Sequence, residues 1–582
     1  MRIAVLDRNR CVKEKCGYQC QKFCPGVLMG EETIVIDEKG YPVISEILCT
    51  GCGICVKKCP VNAITIVNLP TEGENPIFQY GINAFRLYGM PLPAEGVTGF
   101  VGKNGIGKST AMKLLTGLLK PNFGKYDKSW EWNEILENMN NIQRAYFKTI
   151  AGEDVQISYK PQHVDLIPQS FKGTVNELLE KVNPKRVEVS KIVEWFELKY
   201  IYERHLDKLS GGEMQRVAIA AAYLKQGDFY FFDEPASYLD VEQRLKIAKK
   251  IKELSLEKKV VVVEHDMALF DYLADFVYVF FGTENAYGAV SKVKSVRNGI
   301  NEYLAGYLQD ENVKFRDHEI SFKQKAEETG KAEIMMTYPR FEKKFESFVF
   351  ESEEGEINKG EVIGILGPNA IGKSLFVKIL AGVEKPDNEK WENSMKVSYK
   401  SQYVKADENI TVGEIFSREK LDQFVFNESV RKLGIGTLMD KQLSDLSGGE
   451  LQRVAITLAL SREADVYLFD EPSAFLDVEQ RLEFASLLHS VISNSEKVCF
   501  VVDHDLILIE LLAKRIMLFS GESSVHGESS HPMKKYKGMN EFLKRMNITM
   551  RRDPDSLRPR INKHGSVKDR EQKEKGEYYE VY

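Results

Sequence analysis

The run LSGGEMQR at residues 209–216, followed at 229–235 by FYFFDEP, decides the fold of this chain because both pieces are written twice. Their second copies are LSGGELQR at 446–453 and VYLFDEP at 466–472. The spacing from serine to the glutamate of DEP is 24 residues in each half, from Ser210 to Glu234 and from Ser447 to Glu471. Working outward, the N-terminal side carries GKNGIGKS (102–109) and Gln162 in one half, GPNAIGKS (367–374) and Gln402 in the other. The C-terminal side carries Glu264-His265-Asp266 and Asp503-His504-Asp505. Five motifs in one order, twice, make an internal duplication.

Each glycine-rich run follows a short apolar strand (VTGFV, VIGIL) and opens a helix-compatible run (TAMKLL, LFVKIL), which is the setting of a phosphate-binding loop. Successive backbone N–H groups of such a loop cradle anions at a helix N-terminus. The loop residues expected at nucleotide are Gly102, Asn104, Gly105, Gly107, Lys108, Ser109 and Thr110, then Gly367, Asn369, Gly372, Lys373 and Ser374. Lys108 and Lys373 are suited to neutralise β- and γ-phosphate. Ser109 and Ser374 present hydroxyls to Mg²⁺, with Gln162 and Gln402 sensing metal and γ-phosphate, and Asp233 and Asp470 supporting the ion. Glu234 and Glu471 follow those aspartates and, because strand side chains alternate, point elsewhere; they are the candidate general bases. His265 and His504 come just after the apolar strands VVVVE and CFVVD and are placed to reach the γ-phosphate.

These residues resemble the ATP-binding cassette superfamily, whose signature is LSGGE. The resemblance implies an α/β fold of tandem cassettes paired head to tail, each ATP held by the loops of one and the signature of the other. Site one would then unite Lys108, Ser109, Gln162, Asp233, Glu234 and His265 with Ser447, Gly448, Gly449 and Glu450. Site two would unite Lys373, Ser374, Gln402, Asp470, Glu471 and His504 with Ser210, Gly211, Gly212 and Glu213. An aromatic residue ahead of the loop usually stacks on adenine in that superfamily; Tyr80 and Phe85 fit site one, and Tyr338 is the candidate for site two. Two departures stand out. Ala370 occupies a loop position where the pattern has glycine, as Gly105 does, and Ala236 follows DEP where serine is usual. The first half is also longer between loop lysine and glutamine, 54 residues against 29, and the extra SWEWNEILENMNNIQRAYFKTI has apolar residues at helical spacing (Ile135, Met139, Ile142, Tyr146). A helix-loop-helix is expected over about 129–153.

Eight of the nine cysteines fall between residues 11 and 59. Cys49, Cys52, Cys55 and Cys59-Pro60 match the ferredoxin run C-x2-C-x2-C-x3-C-P, and Cys11, Cys16, Cys20 and Cys24-Pro25 form a looser partner run. By analogy with two-cluster ferredoxins the fourth cysteine crosses over: Cys49, Cys52, Cys55 and Cys24 hold one [4Fe-4S] cluster and Cys11, Cys16, Cys20 and Cys59 the other. Two zinc sites with four thiolates each are the alternative. Cys499 lies alone in an apolar strand and reads as a buried, inert thiol.

Composition frames the rest. Hydrophobic residues are 43% and charged residues 29% of 582, and 80 Lys and Arg against 86 Asp and Glu leave a net charge of −6, so no global positive field advertises nucleic acid. No apolar run approaches the roughly 20 residues of a spanning helix, and the N-terminus shows no secretory pattern, so a cytoplasmic protein is expected. The expected division is an α+β ferredoxin-like domain at 1–72, a first cassette at 73–290, a hinge at 291–330, a second cassette at 331–525, and a C-terminal hinge with mobile tail at 526–582. The related tails Gly299-INEYL and Gly538-MNEFL mark the two hinge pieces, whose Lys292, Lys294, Arg297, Arg545, Arg551, Arg552, Arg558 and Arg560 could meet phosphate backbones or stand merely solvated, as charge runs more often do.

A two-cluster iron-sulfur segment fused to tandem cassettes, with an insertion only in the first, is similar to the ABC-E family, also called RNase L inhibitor or ribosome-recycling ATPases, in its archaeal form. The resemblance implies ATP hydrolysis coupled to movement of the iron-sulfur domain. It implies splitting of ribosomes into subunits after termination or rescue, with a release factor or Pelota-like partner. It also implies retention on the small subunit, contacts to its rRNA and protein, and a monomer whose cassettes pair within one chain. The rival reading is an ATP-coupled iron-sulfur electron-transfer protein.

Overall fold

The computed structural model describes all residues except 1, 9, 46–47, 69–74, 153–154, 184–187, 321, 323–332, 389–390, 392–394, 403–409, 494–495 and 581–582. The expected boundaries at 72–73 and 330–331, the last residue of the insertion and residues 323–330 of the hinge lie outside the described residues. The chain divides into two compact units. One comprises residues 1–235, 251–264 and 274–319; the other comprises 236–250, 265–273 and 320–582.

In the first unit a nine-stranded sheet is built around the strand Val97–Val101, which leads into the phosphate loop. It lies between Lys259–Val263 and Phe276–Thr283, parallel to both, and Phe229–Asp233 and Ile157–Lys160 extend the parallel part. Near-continuous apolar runs are what a parallel sheet covered on both faces requires, and Val97–Val101 is buried at every position. The opposite edge turns antiparallel through Phe276–Thr283 and Tyr287–Val290. The second unit repeats this sheet strand for strand, with Val362–Leu366 central between Val498–Val502 and Arg515–Glu522. In such sheets ligands gather beyond the carboxyl ends of the parallel strands, which is where both phosphate loops and both DEP motifs emerge.

The insertion forms the helices Trp132–Glu137 and Asn141–Ala151. Ile135 and Met139 enter the first unit's core with Phe147, and the Tyr146 hydroxyl donates to Leu115 O at 2.8 Å. Ile142, expected on the buried stripe, is 74% exposed. It lies in the first turn of the second helix, where the intervening turn has rotated the helical phase, and Phe147 fills the core instead.

The tail motifs have a packing cause. A Cβ on Gly299 would sit 2.9 Å from Val277 Cβ, and one on Gly538 2.8 Å from Ile516 Cβ, so glycine lets Val296–Ala305 and Lys535–Arg545 lie directly on their sheets. The C-terminal segment departs from the mobile tail expected. Met550–Arg552 pairs with Pro559–Ile561, the helix Val567–Lys575 follows, and Tyr579 is buried with its hydroxyl donating to Glu510 at 2.7 Å. Most of the hinge's basic residues are committed to protein carboxylates. Arg558 and Arg560 grip Asp271, Arg552 pairs with Glu510, and buried Lys294 is ringed by Glu302, Asp310 and Glu311.

The iron-sulfur segment belongs to the first unit. Arg2–Leu6 pairs antiparallel with Ile64–Asn68 and Ile34–Ile36 with Pro42–Ile44. Val5 and Val67 pack on Ala286 and Tyr287, at the turn joining two strands of the first cassette's sheet.

Candidate functional site

Both phosphate loops close on a glycine in the left-handed region, Gly107 (φ 102°) and Gly372 (φ 98°), from which the helices Lys108–Leu115 and Lys373–Leu380 start. Lys108 Nζ donates to Gly102 O (2.8 Å) and Lys103 O (2.7 Å), and Lys373 Nζ to Gly367 O (2.7 Å) and Pro368 O, so each ammonium lies across its own loop. Ala370 has φ 56° and Gly105 φ 70°: the second loop therefore carries an alanine in a conformation costing about 1 kcal/mol outside glycine. The facing residue explains why alanine fits only there. A Cβ on Gly105 would lie 2.7 Å from Asn285 Oδ1, whereas Ala370 faces the smaller Ser524, whose N–H donates to Ala370 O at 2.8 Å.

Asp233 and Asp470 end their strands fully buried. Burial, with the charge of the following glutamate, pushes each carboxyl up to about 6 against the opposing pull of nearby lysines and of Ser109 or Ser374. Neither oxygen of Asp470 accepts a hydrogen bond of ordinary geometry, although Ser374 lies beside it. A buried carboxylate left so, next to a serine hydroxyl on a phosphate loop, fits a hard oxygen-loving cation such as Mg²⁺.

Glu234 and Glu471 turn the chain sharply, each at φ 48°. Left-handed backbone at a non-glycine residue persists only where its surroundings over-determine it, and here every polar group of the residue is held. Glu234 N–H donates to Val263 O (2.9 Å) and Glu471 N–H to Val502 O (2.8 Å). The carboxylates accept from Gln162 Nε2 (2.7 Å) and Gln402 Nε2 (2.8 Å). The carbonyls accept from Gln215 Nε2 (2.7 Å) and Gln452 Nε2 (2.8 Å), and from the buried Lys160 and Lys400. Burial works to raise the Glu471 carboxyl, but His504, Gln402 and Lys373 outweigh it and hold the group below the usual carboxylate range. His504 Nε2 stands 3.6 Å from Glu471 Oε1, and burial and Lys373 both favour the neutral imidazole. His265 is likewise buried.

The signature serines are helix caps. Ser210 caps Gly211–Leu224 and Ser447 caps Gly448–Ser461, each in a reciprocal pair with the glutamate three residues on. Glu213 and Glu450 are tied back to their serine and to Arg204 and Lys441, so these carboxylates shape the turn. Of the stacking candidates, Tyr80 is 49% exposed with its hydroxyl 3.3 Å from Thr110 Oγ1, and Phe85 is half-buried. Tyr338 is only 2% exposed and packs on Phe341 and Phe376, a core residue that no nucleotide can reach. Half-buried Phe348 takes the place matching Phe85: a Cβ on Gly527 would lie 3.2 Å from its ring, as one on Gly288 would from Phe85.

Lys160, Lys400, Gln215, Gln452, Arg244 and Arg481 escaped the sequence reading. Their signal was their repetition at equal offsets, in SYK ahead of each loop glutamine, in the seventh place of each signature run, and in each DVEQR. Arg244 pairs with Asp266 (2.8 Å) and Arg481 with Asp505 (2.7 Å), fixing the turn after each histidine.

Cys11, Cys16, Cys20 and Cys59 line one common cavity, and Cys55 is electrostatically coupled to Cys49, Cys52 and Cys24. Burial pushes the thiols of Cys20 and Cys55 up to about 11 and about 12. Among the described residues no three Cys, His, Asp or Glu side chains converge closely enough for a single ion. Four thiols around one shared cavity, in runs with the ferredoxin spacing, fit a [4Fe-4S] cluster.

Residues 88–237 and 351–474 match the ABC transporter family model, residues 42–65 the 4Fe-4S binding domain, and residues 1–32 the "possible Fer4-like domain in RNase L inhibitor". "ABC transporter E family member 1" of Arabidopsis thaliana is 42% identical across 99% of this chain and 98% of its own length. The chain belongs to the ABC transporter E family. "Translation initiation factor RLI1" of Saccharomyces cerevisiae is 41% identical over 99% of this chain and 98% of its own. A solved structure described as a model of ribosome-bound archaeal Pelota and ABCE1 is 49% identical, covers 100% of this chain and 99% of its own, and superposes with a TM-score of 0.92. As a member of this family the chain is an ATP hydrolase carrying two [4Fe-4S] clusters and using Mg²⁺. Among the described residues no helix is long and apolar enough to cross a membrane.

Proposed function

We propose that this chain is a cytoplasmic factor that splits ribosomes into subunits after termination or rescue, acting with a release factor or Pelota-like partner and remaining on the small subunit. The observation that carries this reading is the likeness, over the entire length and including the iron-sulfur segment, to the ribosome-bound relative. The sites are completed head to tail. Lys108, Ser109, Gln162, Asp233, Glu234 and His265 work with Ser447, Gly448 and Gly449. Lys373, Ser374, Gln402, Asp470, Glu471 and His504 work with Ser210, Gly211 and Gly212. Within the second unit, Asp240 of the first repeat accepts a hydrogen bond from Asn369 N of the second phosphate loop (3.0 Å), which supports that pairing.

In each site the lysine leaves its loop carbonyls for the phosphates, and bound magnesium neutralises triphosphate charge. Glu234 or Glu471 orients the attacking water and takes its proton, held in aim by the loop glutamine. The uncharged imidazole of His504 can donate toward the γ-phosphate. ATP thus bridges the halves, and loss of the γ-phosphate releases them. Asn285 links this cycle to the iron-sulfur segment: its N–H donates to Gly105 O (3.0 Å) and its side-chain amide lies 3.5 Å from Asp7. Gradient sedimentation of archaeal ribosomes with the chain, ATP and a release or Pelota-like factor tests the proposal. Conversion of whole ribosomes to subunits is expected, and intact ribosomes beside active ATP hydrolysis would overturn it.

A further inference from the structure

Lys160 is 1% and Lys400 3% exposed, and each points into the end of its sheet. Lys160 Nζ donates to Asp233 O at 2.8 Å and Glu234 O at 3.1 Å; Lys400 Nζ donates to Asp470 O at 2.9 Å and Glu471 O at 3.2 Å. The two sites therefore share one arrangement to within 0.1 Å, although the residue after the lysine differs, Pro161 in one and Ser401 in the other.

A buried ammonium is expensive unless it is hydrogen-bonded, so a lysine retained here at both repeats must be doing something an apolar side chain would not. The two carbonyls that it gathers belong to the successive peptides on either side of one residue, the left-handed glutamate at which the extended strand ends. An extended strand followed by an unconstrained turn would let those two peptides rotate, and the glutamate carboxylate would swing with them. One ammonium can serve both oxygens at once with charge-assisted bonds. A glutamine such as Gln215 reaches the second oxygen but brings no charge.

We infer that Lys160 and Lys400 are positioning residues for ATP hydrolysis, clamping the two peptides on either side of the glutamate so that the glutamate faces the attacking water. The inference rests on the reading of Glu234 and Glu471 as general bases. It adds that their aim is set from behind, through the main chain, by a buried cation.

The test compares three full-length, cluster-loaded chains with the parent: Lys160→Met with Lys400→Met, Glu234→Gln with Glu471→Gln, and all four changes together. Single-turnover hydrolysis of radiolabelled ATP and ATP affinity are measured for each. The Met pair is expected to slow hydrolysis at saturating ATP at least 10-fold while moving affinity less than 2-fold. Added to the Gln pair, the same Met changes should slow hydrolysis by less than a further 2-fold, because the lysines act only through the glutamates; a general structural defect would multiply. Unchanged hydrolysis in the Met pair, an affinity loss in step with the rate, or a multiplied defect overturns the inference. If the Gln pair hydrolyses at the parental rate, the general-base reading itself falls and takes the inference with it. Should the Met pair not fold, Lys160→Gln with Lys400→Gln, smaller and polar, carries the same expectations.

Discussion

Glu471 has its N–H, its carbonyl and its carboxylate each in a hydrogen bond, and its left-handed backbone is the consequence of that confinement. Glu471→Gln keeps the shape and removes the proton acceptor, so hydrolysis at that site should fall by roughly 100-fold or more, within the range that general acid–base catalysis supplies, with ATP binding intact. On the recycling reading the variant should also stay on small subunits with ATP, which co-sedimentation checks. Asp470 makes a different prediction. Its folded pKa, about 6, lies above the ordinary value of 3.8, so its contribution to stability is present below the lower figure and is lost as pH rises through the upper one. At pH 7.5 the ionised carboxyl burdens the nucleotide-free fold. Asp470→Asn should therefore raise the melting temperature of the nucleotide-free chain by a few degrees, with the gain shrinking as pH falls below 6, while abolishing stabilisation by Mg-ATP. The donor set around Glu471 was only half legible. Gln402 stood in a known motif, but Lys400 and Gln452 act on backbone carbonyls, and nothing in a chain's letters says which carbonyl a buried ammonium will find.

At the scale of elements, one hairpin holds two helices of the second unit at matching places. Asp271 lies six residues after His265 and Glu510 six after His504, both buried; Arg558 and Arg560 take the first, Arg552 the second. Truncating Arg558 leaves a buried carboxylate poorly compensated, so Arg558→Ala should cost about 3 kcal/mol in denaturant unfolding, less if Arg560 compensates. Arg545→Ala, which breaks a surface ion pair with Glu541, should cost under about 1 kcal/mol. The sequence reading saw a run of arginines and placed them in solvent or on nucleic acid. Charge runs have no period, and their partners here are 42 and 287 residues away in the chain. The insertion shows the opposite case, since helical spacing announced both helices and only the face of Ile142 was misplaced.

On the scale of the molecule, the iron-sulfur segment is too small to be held by apolar burial alone, and cysteines make up much of its core. Chelating the iron should unfold this segment, seen as rapid proteolysis within residues 1–68, while the cassettes still bind ATP. If the clusters serve as staples, oxidising or reducing them while they stay intact should leave ATP turnover unchanged within about 2-fold, and a larger redox effect would favour the electron-transfer reading. Sequence alone determined the duplicated cassettes, the two phosphate loops and the cysteine runs, because each rests on residues a few places apart whose chemistry demands that spacing; the family was legible as a resemblance carried by their conjunction. Only the tertiary structure decided that Tyr338 is core and Phe348 lies where Phe85 does, that the C-terminal tail is docked through Tyr579, and that two buried lysines stand behind Glu234 and Glu471. Those depend on which distant segments meet, and burial, unlike spacing, is a property of the folded chain.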